Sequence, residues 1–408
     1  MMQSPHYPAF VVAGLILLPG VALAAESFSS FGLEIRQKLQ SVHHTDFSAE
    51  HNTLWLQRWL PSFELGLMPS TSLLLEPVVA FDSPHSTGTS PQEQTAPELH
   101  RLILQTSYGS WQLQLGRQVW AFGNQRQLGK REGTNIRRRF DGLLLTRQQE
   151  ASNYSLYHGQ HVIEKPGSWD DQSSENWRVS GMVLQTEWTS ERQLSLHYLR
   201  YLDHRDNKDE VRHSMEFNIK AQNHYHGFEL EHIYQWGHQQ QYSIDAYWAF
   251  ARYQQSLNQS FSWSAALSLA SGDRTPHNQQ LSTFQPLFAK APFYSEAGII
   301  ATSNIKNLQL GLHAQTSSGL RFELEYQWLA RLTSHDAIYS QGRSVLLSSA
   351  TKGNSKLADV VTVRLSQEFS PALEFEILLS HLNATTTMAQ SSTKQHSLFF
   401  EAGFTLHY

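Results

Sequence analysis

The chain has 408 residues, of which 40% are apolar, 16% charged and 12% aromatic; its formal net charge is −5 and it contains no cysteine. Charge this sparse is unusual for a soluble domain, and no apolar run of about 20 residues follows the N-terminus, which excludes a helical membrane protein. A single large β-barrel uses this much chain, and the lack of cysteine suits a protein that crosses an oxidising compartment without disulfides.

The N-terminal segment runs apolar from Ala9 to Leu18, breaks at Pro19 and Gly20, and ends Ala22, Leu23, Ala24. It reads as a signal peptide over residues 1–24, cleaved after Ala24, with residues 25–408 as one barrel domain. No Lys or Arg precedes Ala9, only His6, so an uncleaved anchor is the alternative.

From Phe31 onward the apolar signal has period 2, as in a strand with one greasy face and one polar face. Phe228, Leu230, Tyr234 and Trp236 alternate with Glu229 and Glu231; Tyr242, Ile244, Ala246, Trp248 and Phe250 with Ser243 and Asp245; Leu320, Phe322, Leu324, Tyr326 and Trp328 with Arg321, Glu323 and Glu325. Segments of this kind are predicted near 30–41, 52–66, 71–82, 98–108, 111–122, 139–148, 152–161, 176–189, 192–204, 212–223, 225–236, 240–253, 258–271, 302–315, 319–333, 357–370, 372–384 and 394–407. That makes eighteen strands, with sixteen as the alternative, in an all-β transmembrane antiparallel barrel. Brief turns such as Met68 to Ser70 and Gly109-Ser110 alternate mostly with long connections, the arrangement of an outer-membrane barrel. Closure is required because an open sheet edge in lipid leaves backbone groups unpaired. The last strand ends in Tyr408, with Leu398, Phe400, Ala402, Phe404 and Leu406 on its parity, and resembles the assembly signal of bacterial outer-membrane barrels. Trp55, Trp59, Trp236, Trp248 and Trp328 read as interfacial girdles.

Between Gly116 and Gly142 the acidic chain collects seven basic residues against Glu132 and Asp141. On the predicted topology this stretch finishes one strand, forms a long connection at the mouth and begins the next. Gly123, Gly129 and Gly133 suit a loop that folds back on itself; periodicity leaves open whether it folds inward. Parity from Trp111, Leu113 and Leu115 sends Arg117 outward unless a bulge at Gly116 turns it.

The run Gly116-Arg117-Gln118, Phe122 to Arg126, Gly129, Arg131-Glu132, Asn135, Arg137-Arg138 and Phe140-Asp141-Gly142 resembles the signature of the alginate export family of Gram-negative outer-membrane porins. A second block is similar to that family's other recurrent segment: Ala270, Ser271, Gly272, Asp273 and Arg274, then Thr283-Phe284, Pro286-Leu287-Phe288 and Glu296-Ala297. The resemblance implies an eighteen-stranded monomeric barrel with an arginine-rich constriction that lets an anionic polysaccharide leave the cell. Every predicted short turn, including Glu368 to Ala372, lacks a counterpart of the family's periplasmic plug loop.

Guanidinium groups pair bidentately with the carboxylates of a polyuronate, and rings of Arg or Lys make a pore anion-selective. The pore-lining candidates are Arg117, Arg126, Lys130, Arg131, Arg137, Arg139 and Asp141, with Arg36, Lys38, Arg321, Arg331 and Arg364 on lumen parity and Ser271 to Arg274 as the motif loop. Glu34, Glu229, Glu231, Asp245, Glu323, Glu325 and Glu376 are assigned to the same inner face, so the lumen is expected to be mixed in charge. His224 and His226 share a strand face with no residues nearby to complete a metal set. No catalytic triad or phosphate-cradling loop stands out. No cofactor or metal is expected, and no enzyme activity. Expected partners are outer-membrane lipid, lipopolysaccharide, the anionic polysaccharide and periplasmic export proteins, with no nucleic acid. A general small-anion porin on the same scaffold is the alternative, and a barrel enzyme or adhesin stands behind it.

Overall fold

The computed structural model describes residues 28–408 apart from 45–50, 84–89, 276, 277, 291, 292, 295, 342, 352–354 and 390–393; the expected signal peptide, 1–24, lies outside the described residues. The first nine barrel strands are β1 (Phe28–His43), β2 (His51–Met68), β3 (Thr71–Phe81), β4 (Thr95–Tyr108), β5 (Trp111–Gln118), β6 (Phe140–Gln149), β7 (Ser152–Ile163), β8 (Gln172–Thr189) and β9 (Arg192–Asp203). The second nine are β10 (Glu210–Gln222), β11 (His226–Gln239), β12 (Tyr242–Ser256), β13 (Phe261–Ala270), β14 (Ile305–Gln315), β15 (Arg321–Arg331), β16 (Lys356–Ser370), β17 (Leu373–Ala384) and β18 (His396–His407). The main sheet counts nineteen strands, one of which is the two-residue stub Gln280–Leu281, so 19 − 1 leaves eighteen. Each pairs antiparallel with its neighbours, and β1 closes the ring on β18 with Ile35 opposite Leu406.

Every predicted strand is present, and the turns alternate as expected with one exception. On the long-loop rim, β11 and β12 are joined through Gln240 and Gln241 alone.

The greasy parity faces outward on most strands. Phe228 and Leu230 are each 56% exposed, whereas Glu229 and Glu231 are 5% and 2% exposed on the inner face. Strand β12 overturns the expectation. Ile244, Ala246 and Trp248 are buried and point inward, while Asp245 is exposed on the opposite face. Trp248 therefore belongs to an interior core rather than to a girdle. The reason is that the lumen behind the long-loop rim is filled by chain, and a wall that meets chain instead of water turns apolar side chains inward.

Two interior cores result. One joins Trp248, Ile233 and Leu329 of the wall to Phe284, Tyr294, Ile299 and Ile300 of the β13–β14 connection. The other joins Trp120, Phe140, Tyr157, Val179 and Tyr201 to Leu128 and Phe288. Each buried ring or aliphatic side chain contributes on the order of 1.5–3 kcal/mol to holding these connections inside. Glycine makes one seat possible: a Cβ on Gly159 would sit 2.7 Å from Trp120 and 2.8 Å from the Asp141 carbonyl.

Candidate functional site

The basic connection between β5 and β6 folds inward and crosses the whole lumen. Its near anchor is an ion cluster on β1 and β2. The Arg36 guanidinium donates to the Glu132 carbonyl at 2.7 Å, the Thr134 carbonyl at 2.7 Å and Asn135 Oδ1 at 3.0 Å. Arg58 donates through Nε to Glu34 at 2.9 Å, through Nη2 to Glu132 at 2.6 Å and through Nη1 to the Asn135 carbonyl at 3.2 Å. Arg137 closes the cluster, donating to Glu132 at 2.6 Å and to Glu34 at 2.9 Å. Three guanidiniums thus meet two carboxylates, a geometry in which charge-assisted bonds are short and directional. Burial alone would raise the Glu132 carboxyl, yet hydrogen bonding from Arg137 and the charges of Arg58, Arg137 and Arg36 hold it well below the usual carboxylate range.

The far anchor lies on β10 and β11, nine of eighteen strands away and so on the opposite wall. Asn124 donates to both Glu229 and Glu231 at 2.6 Å and accepts from Lys220 at 2.7 Å, while Gln127 donates to Glu216 at 3.3 Å. The Arg126 guanidinium lies 4.2 Å from the Phe293 ring centre and 4.7 Å from that of Trp248, a cation–π seat.

The β13–β14 connection enters from the other side and hydrogen bonds to this loop. Phe288 N donates to the Gln127 carbonyl at 3.0 Å, Gly129 N to the Phe288 carbonyl at 2.9 Å and Lys290 N to the Gln125 carbonyl at 2.7 Å. Its base is pinned by Asn304, which is fully buried: Nδ2 reaches the carbonyls of Thr333, Asp336 and Ala337, and Oδ1 accepts from Thr333 N at 2.8 Å. The paired loops divide the lumen into chambers. The one toward the short turns holds about 620 Å³ and is lined by eight cations and seven carboxylates; the one toward the long loops holds about 680 Å³.

The predicted residues fall into distinct places. Arg117 is opposite Leu102 and Asp141, in the outward row of Leu104, Leu115 and Leu143. It grips Asp141 bidentately at 2.8 and 2.9 Å and does not enter the pore. Gly116 has φ +120°, but the pairing shows no register shift there, so strand parity decides the side. Arg139 is fully buried against Asp171 at 2.6 Å, and Arg131 pairs with Glu164 at 2.7 Å. Lys38 pairs with Glu401 at 2.8 Å, Arg321 with Glu368 at 2.7 Å, and Arg364 with Glu296 at 2.9 Å and Glu376 at 3.6 Å. Arg331 is buried and donates to the Thr351 carbonyl at 3.2 Å.

In the motif loop Ser271 Oγ donates to the Ser282 carbonyl at 2.7 Å, Gly272 lies against Asn304, Asp273 N donates to Asp336 at 2.9 Å, and Arg274 is exposed. The arginines of the signature are therefore mostly braces answered by acids. The cations left exposed where the two loops meet are Lys130 and Lys290, and neither has an acidic partner among the described residues. Arg58, Asn304 and Lys290 were missed in the sequence. Lys290 follows Pro286-Leu287-Phe288 by two residues, and that proximity was the available signal. Among the described residues one acidic trio is close enough to hold an ion, Glu98, Asp170 and Asp171. Glu98 already accepts the amides of Asp170 and Asp171, and Asp171 accepts from Arg139.

A closed antiparallel barrel of eighteen strands with an apolar exterior, short turns at one rim and loops folded into its lumen is an outer-membrane channel. The model of the alginate export family matches residues 99–399, most of the chain, and the protein belongs to that family. Among solved structures it is similar to Pseudomonas aeruginosa OccK5 (OpdH), with 15% identity, TM-score 0.61 and coverage of 94% of this chain and 99% of that one. Pseudomonas aeruginosa OpdK, whose crystal structure was determined with vanillate, is 12% identical with TM-score 0.65, covering 94% and 99%. Pseudomonas aeruginosa OccK3 (OpdO) is 12% identical with TM-score 0.65, covering 94% and 96%. No curated protein sequence matches. Family and fold point to a transport channel rather than an enzyme, and the long-loop rim faces the exterior.

Proposed function

We propose that the channel passes anionic saccharides of the polyuronate type, as short oligomers, and that lysine rather than arginine supplies its selectivity. The observation that carries this is the pair Lys130 and Lys290. They are exposed on the two loops that join across the lumen and both line the inner chamber, with no acidic partner among the described residues. An ammonium is a strongly hydrated point charge, so it attracts a passing carboxylate without the fork that would hold it, and weak repeated binding is what conduction needs. The polar wall around the lysines, with acids paired to Arg36, Arg58, Arg137 and Arg364, supplies hydrogen bonds to sugar hydroxyls. The barrel acts as a monomer in lipopolysaccharide-bearing lipid, and periplasmic export proteins deliver the oligomer.

A second reading, a small-anion porin on the same scaffold, is favoured by the division of the lumen into chambers of about 620 and 680 Å³, each the size of a site for one compact ligand. Planar-bilayer reversal potentials under a salt gradient test both. Anion selectivity that inverts in the double variant K130E/K290E, with block by oligouronates, supports the first; anion selectivity without oligouronate block supports the second. Cation selectivity in the unaltered protein rejects both.

A further inference from the structure

The two chambers differ in charge. The inner one balances eight cations against seven carboxylates, whereas the outer one is lined by Arg131, Arg138, Lys290 and Arg343 with no carboxylate among the described residues. Arg131 is held by Glu164 behind it, and Arg138 by the carbonyls of Gly129 and Phe288. Arg343 is exposed and, like Lys290, has no ion pair among the described residues, so the positive field of the outer chamber is uncompensated from within. One side of the same chamber is apolar, formed by Pro286, Leu287 and Phe293. A volume of about 680 Å³ lies inside the range of sites that enclose one small molecule.

We propose that this outer chamber is a capture site for a ring-bearing carboxylate arriving from outside the cell, its ring against Phe293 and Leu287 and its carboxylate between Arg343 and Lys290. The ring is that of an aromatic acid or of a uronate disaccharide, whose axial C–H groups give one face apolar character. An anion is concentrated where fixed charge is uncompensated, and that is the chamber on the exterior side. This builds on anion passage past Lys290, the reading above, but the site itself is separable from it, because Arg343 lines the outer chamber and not the inner one.

The test is asymmetric block of single-channel current in planar bilayers by benzoate and, separately, by a diuronate, with acetate as the ringless control. The exterior side is assigned with R343C, whose thiol is unique in a chain lacking cysteine and reacts with an impermeant reagent from that side. We expect one of the two ring acids to block from the exterior at a concentration at least tenfold lower than from the other side. Acetate should show no such asymmetry, and R343Q should remove the asymmetry while the channel remains anion-selective through Lys130 and Lys290. Block by benzoate assigns an aromatic acid, and block by the diuronate a saccharide. Equal block from both sides by both ring acids, or asymmetry that survives in R343Q, overturns the capture site even where anion selectivity stands. Loss of anion selectivity in the unaltered protein overturns the passage reading instead.

Discussion

The lumen loop should be released by one substitution on the wall, Arg58→Ala. The Arg58 side chain is 1% exposed and bonds Glu34, Glu132 and the Asn135 carbonyl, so its removal leaves two carboxylates near one another with Arg36 and Arg137 to share. Removing one partner of a buried ion pair costs roughly 3–5 kcal/mol. Glu34 is 14% exposed and takes most of that penalty, but Glu132 is 40% exposed, so its share is discounted toward the roughly 1 kcal/mol of a surface pair. A net loss of about 3 kcal/mol raises the detached population of the loop about 100-fold, at about 1.4 kcal/mol per decade. Hydrogen exchange of the amides from Glu132 to Ile136 reads this local opening directly. We expect about 100-fold faster exchange there in R58A and an intermediate rate in R58K, whose ammonium keeps the charge but not the fork. The same amides should be unaffected in R117A, since Arg117 pairs with Asp141 on the outward row. Exchange in R58A within threefold of the unaltered protein would refute the reasoning, because it would mean that Arg36 and Asn135 hold the loop without Arg58.

Three further outcomes follow from the same contacts. The Glu132 carboxyl is depressed in the folded protein, so the stability it contributes is present above the unfolded value of about 4.3 and lost as pH falls through the lower folded value; open-channel noise should be flat from pH 7 to about 5 and rise only below about 4, and an onset near pH 6 would contradict the assignment. Asn304→Leu removes four hydrogen bonds from a buried side chain and leaves their partners unpaired, at about 3 kcal/mol or more; limited proteolysis between β15 and β16 should accelerate, with no change in strand content by circular dichroism. Gly159→Val drives side-chain atoms into Trp120 and the Asp141 carbonyl, at 2.7 and 2.8 Å from the Cβ position; the heat-sensitive mobility of the folded barrel on cold gels should be lost, while the same change at the open turn residue Gln241 should preserve it.

The barrel was legible because lipid enforces a rule on sequence. Phe228 and Leu230 must be apolar and Glu229 and Glu231 need not be, so period 2 survives on strand after strand and counting it yields eighteen. That signal fails where lipid is no longer the deciding solvent. On β12 the apolar set Ile244, Ala246 and Trp248 obeys the same period but serves a chain-filled interior, and alternation carries no sign that tells outside from inside. The basic stretch misleads for a related reason. Counted along the chain, seven cations face two acids; those two answer Arg117 and Arg137, and the other carboxylates come from elsewhere: Glu34 on β1, Glu164 and Asp171 between β7 and β8, and Glu231 on the opposite wall. Local charge counting detects that a loop needs a partner and not whether solute or wall supplies it. Buried guanidiniums with fixed carboxylate partners are poor sites for a solute that must leave, since each would have to exchange a short intramolecular bond for a transient one. Positions 130 and 290 remain, from two segments 160 residues apart, joined only once Gly129 and Phe288 hydrogen bond across the lumen. If the two lysines set selectivity, as we propose, it is a property of loop pairing, and variants that part the loops should abolish it without touching a lysine.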